Sequence, residues 1–435
     1  LFLHLVFWGN AAFVGSELGW PLAASVAWVL AAAALAVWAA ARVTGAPPGA
    51  GARAGLAAGF VAGTALLALA GGPLVAAGAL LAAGTGGALL ALALATEPGE
   101  ARGGDGVVRT AAALALGMTA FVGFAFAYQI DVNVPLPVPR ATFPLVAAGL
   151  VGLVAMRPRV PDAEPIRTAV LVPLGVLAVV PLALVLTGSR PDPAPGDGEA
   201  VIVDWNIHTA VDAHGQIDLE GVAALIEAQD PDVVVLQEVG RGWPIAGSID
   251  QLEWLSRRLD LPYAWAKAGD DQFGNAVLSR LPMTDPEILG LPYGEGPQWR
   301  SALRVEVEIS PGEFLPVIGV HLQNDDSRAT TRTEQIEALL ATWDGTAVMT
   351  GDFNMQPTES ENVSMIEDAG YVSLQDTLGD LGASTARDPL FEGDRVDWMF
   401  VRDAVDARSF AILRSEASDH LPLRAVVRLG YPAEP

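Results

Sequence analysis

Apolar segments fill the first 190 residues of this 435-residue chain and then stop. They run at about 1–15, 22–41, 54–70, 74–95, 107–128, 142–156 and 168–187. A membrane-crossing helix needs roughly 17–25 residues, so the middle segments are long enough and the first and sixth are short. The first begins without Met, as a truncated span would, and lacks the basic start of a signal peptide. Gly71-Gly72-Pro73 separates the third and fourth segments as a tight turn does. A hydrophobic content of 51% and a mean hydropathy of +0.38 are too high for one soluble globule, and the average hides two different materials.

Arginine supplies an orientation for the apolar half. Alternate loops hold Arg42 and Arg53, then Arg102 and Arg109, then Arg157, Arg159 and Arg167, while the remaining loops hold only Arg140 and Arg190. This alternation fits the positive-inside rule, and seven spans with a cytoplasmic N-terminus put residue 190 onward outside the cytoplasm. Gly and Ala throughout point to close helix packing. His4 and Asn10 are the polar groups that stand out in the first segment, and a place at the interface competes with a functional role for His4.

Past residue 190 the composition inverts. Sixteen of the 25 basic and 40 of the 50 acidic residues fall in 200–435, a net of −24, with Lys267 the one lysine. Such a domain repels polyanions and has no basic stripe for duplex DNA. The charge also suits solvation in concentrated salt. Cysteine is absent, which removes thiolate nucleophiles and Cys-ligated zinc. Pro191, Pro193 and Pro195 mark a linker. Strand-like runs follow at about 200–205, 232–237, 274–279, 302–309, 315–321, 346–351, 396–401 and 423–428, with helical patterns at 218–229, 248–259, 328–342 and 359–370. Alternating strands and helices predict an α/β domain with helix-covered sheets. The expected organisation is therefore an all-α transmembrane bundle of about seven spans at 1–188, a linker at 189–199, and an α/β domain at 200–430.

Chemistry-bearing residues gather at the ends of these strands. Gly351-Asp352-Phe353-Asn354 follows an apolar run, and Asp352 and Asn354, two apart on extended backbone, face the same side. Such a pair can hold a metal, a water or a phosphate; a simple turn is the competing reading. The other strand ends supply Asp204-Trp205-Asn206-Ile207-His208, Leu236-Gln237-Glu238, His321, Asp397 and Ser418-Asp419-His420. Each has a dull alternative: Asn206 as a turn, Glu238 as a loop charge, Asp397 as a cap or ion pair. Asp218 reads as the acidic start of the first helix of the domain, favourable to its dipole. His208 and His214 read as rim or surface groups.

In order, Asn206, Gln237-Glu238, Gly274-Asn275-Ala276-Val277-Leu278-Ser279-Arg280, His321, Gly351–Asn354, Asp397 and Ser418-Asp419-His420 resemble the endonuclease/exonuclease/phosphatase superfamily over about 200–430. The resemblance implies a four-layer αββα sandwich with the site at one edge of two sheets. It implies Glu238 as the principal Mg²⁺ or Mn²⁺ ligand with Asn206 and Asp419 nearby, hard oxygen donors of the kind such ions prefer. It further implies that Asp352 serves the attacking water, that Asn354 holds a phosphate oxygen, and that His420, oriented by Asp397, binds or protonates the phosphoryl group. His321 joins the catalytic set. Arg300 resembles an arginine that often precedes the central strand, where it contacts phosphate or forms an ion pair, and Asn275 shapes the site wall.

The expected function is a membrane-anchored, Mg-dependent phosphoesterase whose catalytic domain lies outside the cytoplasm. A short tether to a membrane bundle favours a lipid or lipid-linked phosphate as substrate. The layout of many spans followed by this domain resembles proteins that remodel GPI-anchor lipids. The alternatives are an extracytoplasmic nuclease that scavenges nucleic acid, and a membrane scaffold or sensor carrying an inactive hydrolase domain.

Overall fold

A computed structural model describes residues 1–94, 105–132, 134, 136–156, 192–270, 272–324, 326–386 and 394–430, with scattered positions between 169 and 183. The chain divides into two units, Leu1–Ser189 and Arg190–Pro435.

The first unit is helical. Helix α1 (Ala11–Leu18) is followed by α2 (Leu22–Gly45), α3 (Ala50–Leu69), α4 (Pro73–Leu94), α5 (Asp105–Ile130) and α6 (Thr142–Ala155). Four stretches, Leu22–Gly45, Ala50–Leu69, Pro73–Leu94 and Val107–Ile130, are long and apolar enough to cross a membrane. At 24 residues α2 reaches about 36 Å, more than a hydrocarbon core of about 30 Å. Small residues let these helices close on one another: a Cβ at Gly87 would lie 2.4 Å from the Ala36 carbonyl oxygen.

The first expected span is not one helix. A π-turn at His4–Trp8 and the eight-residue α1 are separated at Gly9-Asn10, and the Asn10 side chain accepts from Ala12 N and Phe13 N at 3.1 and 3.2 Å. Asn10 is a helix cap. Neither piece is long enough to cross a bilayer. Most of the expected segment at 168–187, the loop carrying Arg157, Arg159 and Arg167, Arg102, and residues 189–191 of the linker lie outside the described residues.

The second unit contains twelve described strands: β1 (Glu199–Asn206), β2 (Val233–Gly240), β3 (Tyr263–Ala268), β4 (Phe273–Ser279), β5 (Glu287–Gly290), β6 (Ser301–Ser310), β7 (Glu313–His321), β8 (Ala347–Asp352), β9 (Tyr371–Ser373), β10 (Asp397–Arg402), β11 (Val405–Ile412) and β12 (Leu423–Leu429). The helices are α7 (Leu219–Ala228), α8 (Gln251–Leu259), α9 (Ala329–Thr342), α10 (Ser360–Asp368) and the short α11 (Leu374–Leu378). Two six-stranded sheets form, in the orders β11-β12-β1-β2-β4-β3 and β5-β6-β7-β8-β10-β9. Each has one parallel pair, β1 with β2 and β7 with β8.

The layering follows from alternation along the strands. Inward residues of both sheets, among them Ile202, Val235, Val277, Val305, Val317 and Met399, make one buried cluster. Outward residues of the first sheet, such as Trp205 and Leu236, pack on Val222, Ile226, Leu252 and Leu255 of α7 and α8. Those of the second sheet pack on Ile336, Leu339 and Ile366 of α9 and α10. Helix, sheet, sheet, helix is the expected four-layer order. Asp218 caps α7, its Oδ1 accepting from Gly221 N at 2.8 Å.

Candidate active site

Four strands end together. In the parallel pairs Asn206 stands beside Gln237 and His321 beside Asp352, and the antiparallel β10 brings Asp397 opposite Asp352. Strand-end chemistry is thus concentrated where β1, β2, β7 and β8 finish and β10 begins. Gly351 makes this possible on β8: its φ is +147°, and a Cβ there would lie 1.9 Å from the Val320 carbonyl oxygen. Any other residue would push β8 off β7 one position before Asp352.

Asp352, 1% exposed, sits at the centre of the site. Its Oδ2 accepts from Asn206 Nδ2 at 2.9 Å and its Oδ1 from Asn354 N at 2.8 Å. Asn354 adopts a left-handed conformation (φ +48°), and its Nδ2 donates to the Leu322 carbonyl at 3.2 Å. The Gly351–Asn354 stretch is therefore a site element that uses turn geometry. Asn206 is fixed at both ends of its amide: besides donating to Asp352, its Oδ1 accepts from His208 N at 3.0 Å, which leaves a second lone pair on that oxygen.

Glu238 reaches the site through an irregularity. The β2–β4 register shifts between Leu236 and Val239, and Glu238 has φ +55°. A bulge of this kind re-aims one side chain out of the ladder. Among the described residues Glu238 receives no hydrogen bond; His321 Nε2 is 3.8 Å from its Oε1. Burial raises its pKa and Asp419 adds to this, while His208 and Arg300 pull the other way.

Two histidines flank Asp352. His321, buried, has Nε2 at 3.5 Å from Asp352 Oδ2 and Nδ1 at 3.1 Å from Arg300 Nη1. A guanidinium has only donors, so Nδ1 accepts and the ring proton is on Nε2. Burial, Arg300 and His420 all hold this imidazole well below its ordinary pKa. Arg300 is itself buried, which lowers its pKa to about 10 and leaves it cationic at neutral pH. His420 Nε2 is 3.9 Å from Asp352 Oδ2, and its Nδ1 lies 2.9 Å from Asp397 Oδ2. Burial alone would lower the His420 pKa, but Asp397, Asp352 and Asp419 together raise it well above the ordinary value. Asp397 is pushed up to about 6 by burial, with His420 opposing. Thr385 fixes the start of β10 by accepting from Asp397 N at 3.0 Å.

Asp419 lies at the rim, its Oδ1 3.2 Å from Ser418 Oγ and 3.5 Å from His208 Nδ1. Ser418 Oγ also donates to the Asn206 carbonyl at 2.8 Å, and Trp205 Nε1 donates to the His420 carbonyl at 3.0 Å, tying this loop to β1. Asn275, expected to shape the site wall, donates from Nδ2 to the Ser301 carbonyl at 2.7 Å. Nine of the ten expected site residues are joined by these contacts, and Asn275 is bonded to Ser301, the residue after Arg300. His208 is a rim group, as expected, but one in contact with Asp419. His214 is exposed, 3.9 Å from Glu416.

Asp204 stands in the first strand-end run, and the sequence assigns it no role. It is wholly buried two residues before Asn206, with Oδ1 accepting from Gln237 Nε2 at 2.8 Å. Burial raises its pKa well above the usual range, against the Gln237 hydrogen bond. The signal was present: positions 204 and 206 share a face of β1.

The side chains suit a divalent cation. Glu238, His321 and Asp352 bring ligand atoms within 4.8 Å of one another, as do Asp352, Asp397 and His420, and with both imidazoles carrying protons the carboxylates are the donors open to an ion. Glu238, whose carboxylate has no hydrogen-bond donor among the described residues, is open to one.

Residues 205–420 match the profile of the Endonuclease/Exonuclease/phosphatase family. The chain is 25% identical over 192 residues to tyrosyl-DNA phosphodiesterase 2 of Danio rerio, covering 42% of this chain and 48% of that protein. It is 27% identical over 239 residues to the UPF0294 protein VP2298 of Vibrio parahaemolyticus, covering 52% of this chain and 77% of that one. Among solved structures it is similar to an endonuclease/exonuclease/phosphatase from Beutenbergia cavernae, at 28% identity and a TM-score of 0.48, covering 54% of this chain and 72% of that one. The chain therefore spans about half the length of the zebrafish relative. Its C-terminal unit is a domain of the endonuclease/exonuclease/phosphatase family, whose members hydrolyse phosphoric esters.

Proposed function

We propose that this domain hydrolyses a phosphodiester by attack of water at phosphorus, assisted by a divalent cation, Mg²⁺ or Mn²⁺. The observation that carries this reading is Asp352, fixed by Asn206 and Asn354 between a neutral and a charged histidine, with Glu238 beside it. Glu238, Asn206 and Asp419 would hold the cation, which when bound offsets charge on the phosphoryl oxygens and the leaving oxygen. Asp352 orients the water and takes its proton as the new O–P bond forms. His420, kept protonated by Asp397, gives a proton to the departing oxygen as the old P–O bond breaks. Arg300, His321 and Asn354 supply donors to the non-bridging oxygens.

The same proposal covers the setting. Four helices of membrane-spanning length precede the domain, and the arginine distribution supports a place for it outside the cytoplasm. Membrane proximity and net acidity favour a lipid or lipid-linked phosphate. The likeness to tyrosyl-DNA phosphodiesterase 2 supports a second reading, a nucleic-acid phosphodiester.

Purified full-length chain in detergent micelles tests the catalytic reading. Hydrolysis of bis-p-nitrophenyl phosphate is expected with Mg²⁺, abolished by EDTA, and reduced at least about hundredfold by Glu238→Ala. Turnover that survives both treatments removes the metal role. Phospholipid vesicles and single-stranded DNA as substrates then decide between the two readings. A reporter fused after residue 430 is expected to be active outside the cytoplasm, and cytoplasmic activity reverses the topology.

A further inference from the structure

Between β5 and β6 the chain makes a closed loop from Leu291 to Arg300, with Leu291 N donating to the Arg300 carbonyl at 2.9 Å. Its interior is fixed as well. Gly296 N donates to the Tyr293 carbonyl at 2.8 Å, Tyr293 Oη to the Pro297 carbonyl at 3.1 Å, and Glu295 N to Thr331 Oγ1 at 3.1 Å. Gly296 has φ +64°, and a Cβ there would fall 2.4 Å from the Tyr293 ring. The tyrosine ring therefore rests on loop backbone that only glycine leaves clear.

This loop sends consecutive residues to opposite environments. Arg300 is 2% exposed and meets His321, whereas Trp299 is 59% exposed, the most exposed aromatic among the described residues of the C-terminal unit. Single exposed apolar side chains are ordinary. This one is held: its ring packs on Tyr293 with centroids 4.7 Å apart, and its carbonyl accepts from Gly269 N at 2.8 Å. A pre-positioned ring loses little freedom on binding a ligand.

At the end of the loop that carries it, Arg300 Nε, Ser301 Oγ and Asn275 Oδ1 are buried and have no hydrogen-bond partner among the described residues. Such atoms are costly to leave unsatisfied, and here they cluster at the root of the loop. The domain carries a net charge of −24, which disfavours tracking a long phosphate chain along its surface. Recognition next to the phosphate then falls to neutral contacts, of which stacking is the strongest.

We propose that Trp299, backed by Tyr293, is the subsite for a ring-bearing group esterified to the phosphate that Arg300 receives. A nucleobase or a cyclitol headgroup each presents a face to the indole. The subsite rests on the phosphoesterase reading for its phosphate, but its test needs no turnover. Calorimetric binding to the full chain in detergent compares adenosine 5′-monophosphate, inositol 1-phosphate and glycerol 3-phosphate. One of the two ring compounds is expected to bind about tenfold more tightly than glycerol 3-phosphate. Trp299→Ala is expected to erase that advantage and Trp299→Phe to keep most of it. The preferred ring tells a nucleotide source from a lipid headgroup. Equal affinities in the wild type, absence of binding by all three, an advantage that survives Trp299→Ala, or equal weakening of all three ligands each overturns the subsite. Ring-selective binding without hydrolysis would instead remove the catalytic reading and leave the subsite standing.

Discussion

His321 and His420 both approach one oxygen of Asp352, Oδ2, at 3.5 and 3.9 Å, yet they are held in opposite states. On one side Arg300 donates to the imidazole, and burial keeps the ring neutral. On the other, Asp397 accepts from it and the surrounding carboxylates keep it charged. The side chain is the same; the partner on Nδ1 decides what it can do. When environments push two titratable groups apart, the acid and the neutral donor can be told from each other. In the proposed reaction His420 is the acid and His321 a fixed N–H directed at Asp352.

The charged side carries the larger effect. His420→Ala is expected to lower kcat about a thousandfold and Asp397→Asn about a hundredfold, read from initial rates on bis-p-nitrophenyl phosphate. The pH profile sharpens this. His420 is protonated below its raised pKa and loses its proton as pH rises through that value, so the rate falls on the alkaline side. Asp397 loses its charge as pH falls through about 6, so the rate falls there too. Asp397→Asn should remove the acid limb near 6 and move the alkaline limb to lower pH. An unchanged profile in that variant would break the assignment of His420 as the acid.

The neutral side is tested next through Arg300. Arg300→Met is expected to cost about ten- to a hundredfold in kcat/KM, because it removes a cationic donor and frees the His321 tautomer. Arg300→Lys should recover only part, since an ammonium lacks the planar fork. Full activity in Arg300→Met would show that the guanidinium merely fills space.

The sequence makes the centre of this arrangement readable and hides its edges. Gly351–Asn354, Glu238 and Asp419-His420 stand out because polar residues at the ends of apolar runs are few and keep a fixed order. The eight expected strands are all present. The four unexpected ones, β3, β5, β9 and β11, are the four edge strands of the two sheets. An edge strand buries less, so its alternation carries less apolar signal: β5 is mostly exposed along its length. Contacts made across the fold were likewise out of reach. Arg300 and His321 are 21 residues apart, and nothing local marks the one as the other's partner. The left-handed turn at His208, Thr209 and Ala210, with φ of 46°, 50° and 57°, contains no glycine to announce it. The broken first segment is a composition failure of another kind: apolar content was right, but Gly9-Asn10 divides it.

The smallest effect is expected at His321, and it separates a donor from a metal ligand. A glutamine there can accept Arg300's N–H on its amide oxygen and present an amide N–H toward Asp352, copying the neutral imidazole in both directions. His321→Gln should therefore keep activity within about tenfold of wild type, while His321→Ala loses more, because a buried guanidinium is left without its acceptor. The pH profile of the glutamine variant should match wild type, since His321 contributes no titration near neutrality. Metal affinity, measured by calorimetry with Mg²⁺, should also be unchanged. If His321 instead coordinates through Nε2, glutamine will be as damaging as alanine and metal affinity will fall with it. That result would place His321 on the metal and reassign its tautomer, leaving Arg300 to hold phosphate alone.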